Sequence, residues 1–235
     1  MKTWYKNILI TWEPWCGKST LLKELISKID NKSWFLTEQN LNTDWNREWF
    51  EILDSKWNKY PLASKNTPSD ILFANKYYIQ SKWLQEIIKN FSYNIWDLIY
   101  IDEIAPMQLY APWFEDFALD LLNTKNPLVW ITKLDDSNYP IIQQIKNRKD
   151  TLIINLSKIW SRDFLLWFIK KVIKSQKYIF ESDRYTKISN NHYQMKSSSN
   201  IRDIYISENW IISCNCDFYN NHWICSHTMA LRQII

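Results

Sequence analysis

Glycine is almost missing: Gly17 is the only one in 235 residues, against fifteen tryptophans. Globular proteins carry roughly 7% glycine, the share that this one glycine and the tryptophans fill together. A gene whose UGA codons mean glycine, read with a table in which UGA means tryptophan, accounts for both deviations. Most tryptophans are therefore read as recoded glycines; the alternative is a genuinely tryptophan-rich chain. Long apolar runs are also lacking. None approaches the roughly 18 residues of a membrane span, and the start "MKTWYKNILIT" has no apolar signal core, so a cytoplasmic protein with no membrane partner is expected. There are four cysteines, three of them crowded into the last segment. That spacing argues for a metal before disulfides in an intracellular chain. Nor is one sign of charge in large excess, with 29 Lys and Arg against 25 Asp and Glu. Its placement is uneven: 18 basic against 19 acidic residues up to 155, then 11 against 6, a net of −1 followed by +5.

Short apolar runs alternate with amphipathic stretches through the first 175 residues: "NILIT" then "KSTLLKELISKI", "DLIYID" then "WFEDFALDLL", "PLVWIT" then "YPIIQQIKN", "TLIINL" then "SRDFLLWFIKKVI". Buried strands followed by helices predict an α/β fold with a mainly parallel sheet. From "KYIFESDRYTKIS" onward, Tyr and Ile alternate with polar and turn residues, as short antiparallel strands do. A boundary near "KSQK" predicts two domains, 1–175 and 176–235, the second small, β-rich and ending in a helix.

The stretch "ILITWEPWCGKST" has the outline of a phosphate-binding loop. Such a loop, GxxxxGK[ST] after a strand and before a helix, wraps backbone N–H groups around phosphates, which needs residues without a Cβ at its tight turns. Glycine at positions 12 and 15 turns residues 10–22 into "ITGEPGCGKSTLL". Trp12, Glu13, Pro14, Trp15, Cys16 and Gly17 then line the phosphates. Lys18 reaches the β and γ phosphates, Ser19 ligates Mg²⁺, and Thr20 continues into the helix, whose N-terminal dipole adds to the site. The partner segment is "WDLIYIDEIAPM". Asp102 ends an apolar strand, where α/β sheets bind ligands, and can hold Mg²⁺ directly or through water. Glu103 is placed to orient or deprotonate an attacking water, a division of labour that fits hydrolysis.

With glycine in place of tryptophan, "KSGFLTEQNLNTDGNREGFEILD" (residues 32–54), "DLIYIDEIAPMQLYAPGFEDF" and "SRDFLL" resemble segments of the small P-loop nucleoside-triphosphatases first described from thermophiles, which include a cancer-related animal enzyme. The resemblance spans roughly residues 6–173. It implies a P-loop NTPase fold and Mg²⁺-dependent hydrolysis of a nucleoside triphosphate to diphosphate and phosphate. By family position, Arg162 and Arg47 are candidates for neutralising transition-state charge. The chain departs from the family pattern at Ala105, Gln108 and Ser161. Trp12, Trp15, Trp34, Trp45 and Trp49 fall where the family has glycine, whereas Trp4, Trp57, Trp83 and Trp167 have no such anchor.

The segment "SCNCDFYNNHWICSH" sets Cys214, Cys216, Cys225 and His227 in the order CxCx8CxH. Residues i and i+2 of a strand face one side, so Cys214 and Cys216 can offer thiolates to one ion, with Cys225 and His227 closing a tetrahedron from the start of the helix "SHTMALRQII". Three thiolates and an imidazole make a saturated structural Zn²⁺ site with no position for a catalytic water. This pattern resembles the SWIM zinc finger, strongest from residue 210 on, with Trp210 and Trp223 where that family tolerates or prefers glycine. The chain stops soon after His227, which leaves a truncated C-terminus open. His192 and His222 are not assigned as ligands.

The reading is therefore an NTP hydrolase carrying a zinc-binding interaction module whose partner is DNA, RNA or a protein. Its rivals are a nucleic-acid- or protein-binding module in which nucleotide is a slow switch, and a zinc-binding protein with a defunct loop if the tryptophans are literal.

Overall fold

The computed structural model describes residues 5–12, 18–44, 46–95, 97–133, 139–156 and 162–235. The chain packs as two compact units, one of Asn7–Trp160 and one of Ser161–Ile235 together with the first six residues.

Among the described residues, the first unit is built on nine strands. β1 (Asn7–Trp12), β2 (Lys32–Leu41), β7 (Leu98–Asp102), β8 (Leu128–Lys133) and β9 (Thr151–Asn155) lie side by side in the order β2-β7-β8-β1-β9, all parallel. These are the apolar runs of the sequence, and the whole of β7 is buried, as strands covered on both faces must be. Beyond β2 the sheet continues antiparallel through β3 (Arg47–Asp54), β4 (Lys59–Ser64), β6 (Tyr77–Ile79) and β5 (Leu72–Phe73). The sheet is therefore mixed, not mainly parallel: antiparallel strands that are only partly buried extend the parallel core.

Among its described residues the unit also has helices α1 (Lys18–Lys28), α2 (Ser81–Asn90), α3 (Pro106–Leu109), α4 (Pro112–Asn123) and α5 (Pro140–Asn147). Three of them begin with proline, whose fixed φ and missing N–H suit a first turn. One apolar core gathers Leu9, Phe35 and Ile101 from the strands with Leu84, Phe114 and Ile141 from the helices.

The second unit opens with α6 (Arg162–Phe180), which runs unbroken through the expected boundary at 175. Four antiparallel strands follow, β10 (Tyr185–Lys187), β11 (His192–Lys196), β12 (Ile201–Ile206) and β13 (Ile212–Cys214), then α7 (Asp217–His222) and α8 (Ser226–Ile234). Tyr178, Met195, Ile204 and Leu231 form its core with the three cysteines. No helix among the described residues is long and apolar enough to cross a membrane.

Among the described residues, three tryptophans hold left-handed backbone, Trp57 at φ 67°, Trp210 at 60° and Trp223 at 58°. A Cβ there costs roughly 1–2 kcal/mol, and glycine is the residue that avoids the cost. Trp57 closes the β3–β4 hairpin, its N–H donating to Asp54 O at 2.9 Å, and Trp210 closes β12–β13 by the same bond to Ser207 O at 2.9 Å. This is a three-residue hairpin loop with its last residue left-handed, where glycine is usual. Trp223 ends α7 with its N–H on Tyr219 O at 2.8 Å, the position where helices most often place glycine.

Candidate functional site

Parallel strands present all their carboxyl ends along one edge, and the sequence puts its chemistry there. β1 ends at Trp12, and α1 begins at Lys18. Glu13, Pro14, Trp15, Cys16 and Gly17 lie outside the described residues, as do the side chains of Trp12, Lys18, Ser19 and Arg162. Thr20 is exposed in the first turn of α1. Asp102 ends β7, separated from β1 by β8 alone, and is 3% exposed. Burying a carboxylate so deeply requires cations or hydrogen-bond donors nearby. Glu103 follows it, partly exposed. Both charges are felt by Tyr100, whose hydroxyl is held well above the ordinary phenol range by burial first, then by Asp102 and Glu103. That phenol stays protonated.

The backbone around the two acids is tied on both sides. Thr37 Oγ1, on β2, donates to Asp102 O at 2.8 Å, and Gln108 Nε2, on α3, donates to Thr37 Oγ1 at 3.0 Å. On the β8 side, Ile104 N–H donates to Ile131 O at 2.8 Å and Thr132 Oγ1 to Ile104 O at 3.1 Å. From the sequence, Gln108 stands out only as a departure from the family pattern, and Thr37 and Thr132 do not stand out. Polar residues at strand ends and in a four-residue helix carry no local signal of what they touch. Arg47 begins β3 and is exposed, while Arg162 begins α6 in the other unit.

The second group lies within the smaller unit. Ligand atoms of Cys214, Cys216, Cys225 and His227 all fall within 4.8 Å of one another, and all four residues are buried. Tetrahedral Zn²⁺ with Zn–S near 2.3 Å places its ligand atoms about 3.8 Å apart, so the group fits that ion. Cys214 ends β13. Cys216 leaves the strand and caps α7, accepting the Tyr219 N–H at 3.4 Å; Cys225 caps α8, accepting the Thr228 N–H at 3.5 Å. The expected pair of thiols on one strand is thus one on the strand and one on a helix cap. The Tyr219 N–H aimed at the Cys216 sulfur opposes a rise of that thiol's pKa. His227 turns Nδ1 to the sulfurs of Cys214 and Cys225, at 3.6 and 3.7 Å. Hydrogen bonding to Cys225 and burial push the Cys216 thiol up to about 12. None of the three forms a disulfide. Tyr178 of α6 stacks on the His227 ring, centroids 5.6 Å apart. His192 instead pairs with Asp203 at 2.9 Å, and His222 stacks on Phe218 at 4.2 Å.

A protein family described as NTPase matches residues 7–194. The Thermotoga sp. (strain RQ2) protein named nucleoside-triphosphatase THEP1 is 34% identical over 171 residues, covering 72% of this chain and 95% of the relative. The Thermotoga maritima protein of the same name is 32% identical with the same coverage. Among solved structures, THEP1 from Aquifex aeolicus aligns with TM-score 0.55 and 25% identity over 69% of this chain and 96% of that one. A human cancer-related nucleoside triphosphatase aligns with TM-score 0.57 and 21% identity over 72% and 97%, a likeness of fold.

Proposed function

We propose, for a chain that belongs to the NTPase family and is an enzyme of the nucleoside-triphosphatase class, that it hydrolyses Mg²⁺-bound nucleoside triphosphate to diphosphate and phosphate. The observation that carries this reading is the placement of Asp102 and Glu103 at the carboxyl end of β7, on the edge where β1 ends and one strand away from it. Lys18 contacts the β and γ phosphates, Ser19 and Asp102 hold the Mg²⁺ that arrives with the substrate, and Glu103 receives a proton from the attacking water. Arg162 is the candidate for spreading transition-state charge. Incubated with an NTP, the full-length protein is expected to release NDP and phosphate in equal amounts, and only with Mg²⁺. Monophosphate with pyrophosphate, or no turnover with Mg²⁺ present, would overturn the assignment.

Residues 176–235 are proposed as a SWIM-type zinc finger, in which Cys214, Cys216, Cys225 and His227 hold one structural Zn²⁺. Four protein ligands close the site, so the ion's contribution is to crosslink β13, α7 and α8. The partner that this basic part favours is nucleic acid: the net charge is +5 after residue 155 against −1 before it, and lysines and arginines bind phosphates by releasing counterions. Zn²⁺-loaded full-length protein is expected to bind DNA or RNA at low salt, with affinity falling steeply as salt rises, and the Cys214→Ser, Cys216→Ser pair should lose it. Equal binding by that pair, or none at low salt, would leave a protein as the better partner.

A further inference from the structure

We propose that Thr37 and Gln108 are positioning residues: together they form a hydrogen-bond relay that fixes the peptide joining Asp102 to Glu103, and so the base. This inference rests on Glu103 serving as the proton acceptor in the hydrolysis proposed above.

Thr37 sits on β2, the parallel neighbour of β7, one position beyond the Leu36–Asp102 pair. Its hydroxyl has one hydrogen. Directed at Asp102 O, 2.8 Å away, that hydrogen is unavailable to any second acceptor. The group 3.0 Å from the same oxygen must therefore be a donor, as the Gln108 amide nitrogen is. Gln108 is 1% exposed, so water cannot take over the task. Its amide oxygen has no hydrogen-bond partner among the described residues, which leaves the contact to Thr37 as the polar role of the side chain visible there.

The effect falls on Glu103. The carbonyl before it is held by Thr37 from β2, and the carbonyl after it, of Ile104, is held by Thr132 from β8. Thr132 is fully buried. Two hydroxyls on flanking strands thus clamp the three-residue segment whose central side chain is the base, and Gln108 sets the direction of one clamp. A misplacement of about 1 Å at a reacting group costs up to about a hundredfold in rate, so releasing one of two clamps predicts a loss of about tenfold in kcat.

The test compares kcat and KM of full-length Thr37→Val, Thr37→Ser and Gln108→Glu with the parent. Thr37→Val is expected to lower kcat about tenfold with KM nearly unchanged, and Thr37→Ser, which keeps the hydroxyl, to restore most of it. Gln108→Glu offers an acceptor in place of a donor when ionised. Its kcat should fall similarly at high pH and recover as the carboxyl gains a proton to donate, with burial of the side chain raising its pKa. The parent should show no such step. Parental kcat in both Thr37→Val and Gln108→Glu would overturn the relay, as would a Thr37→Ser protein no better than Thr37→Val. If Thr37→Val does not fold, Thr37→Ser and the pH profile of Gln108→Glu decide alone. Glu103→Gln run beside them separates the two ideas: parental hydrolysis in that variant removes the base assignment itself, whereas its loss with unaffected relay variants removes only the relay.

Discussion

Protein with glycine at positions 12 and 15 is expected to bind Mg²⁺-nucleotide, and the same chain with tryptophan at both to bind it roughly 10⁴-fold more weakly. That factor comes from the loop's chemistry. Phosphate is gripped by several backbone N–H groups, each charge-assisted bond worth about 1.5–3 kcal/mol, and two indoles at the tight turns deny the approach. Losing about 6 kcal/mol of such contacts is a factor of about 10⁴. The backbone supports the premise independently of composition, because Trp57, Trp210 and Trp223 hold left-handed φ at turn and helix-cap positions that glycine usually fills. Equilibrium titration with a fluorescent nucleotide checks the difference, and peptide sequencing of protein from the native source checks the residues. Tryptophan in native peptides covering residues 12 and 15 would contradict the recoding.

In the glycine form, Lys18→Ala is expected to weaken nucleotide binding about a hundredfold. The ammonium meets phosphate charge already in the ground state, so its loss appears in binding before chemistry. Two charge-assisted contacts of about 1.5 kcal/mol each give that size. Calorimetric titration with a non-hydrolysed NTP analogue reads it directly; a dissociation constant within threefold of the parent would remove Lys18 from the phosphate site.

The parallel part of the sheet was legible because its signals are local. A buried apolar run reads as a strand wherever both faces are covered, as β7 is, and an acid ending such a run falls at the ligand edge by topology alone. The antiparallel extension was harder: in β3 and β4 half-exposed side chains give no apolar run, and the turn at Trp57 carried no visible glycine. The same substitution hid α7. "DFYNNHW" lacks a helical apolar stripe, and its stop signal, a left-handed C-cap, is written as Trp223. From the sequence, Cys216 therefore reads as a strand residue, whereas it caps a helix. The cysteine and histidine spacing nevertheless picks out four residues that the structure gathers into one cluster, since metal-ligand spacing survives a change of local element. The contact of Gln108 with Thr37 spans 71 residues, and nothing in either neighbourhood announces it.

The measurement that bears most directly on the nucleotide site is single-turnover cleavage of pre-bound Mg²⁺-NTP by the glycine form, parent beside Glu103→Gln. The account predicts nucleotide bound with near-parental affinity and cleaved about 10²–10⁴-fold more slowly in the variant, the usual contribution of a general base. Cleavage by Glu103→Gln at the parental rate, with binding intact, would contradict it.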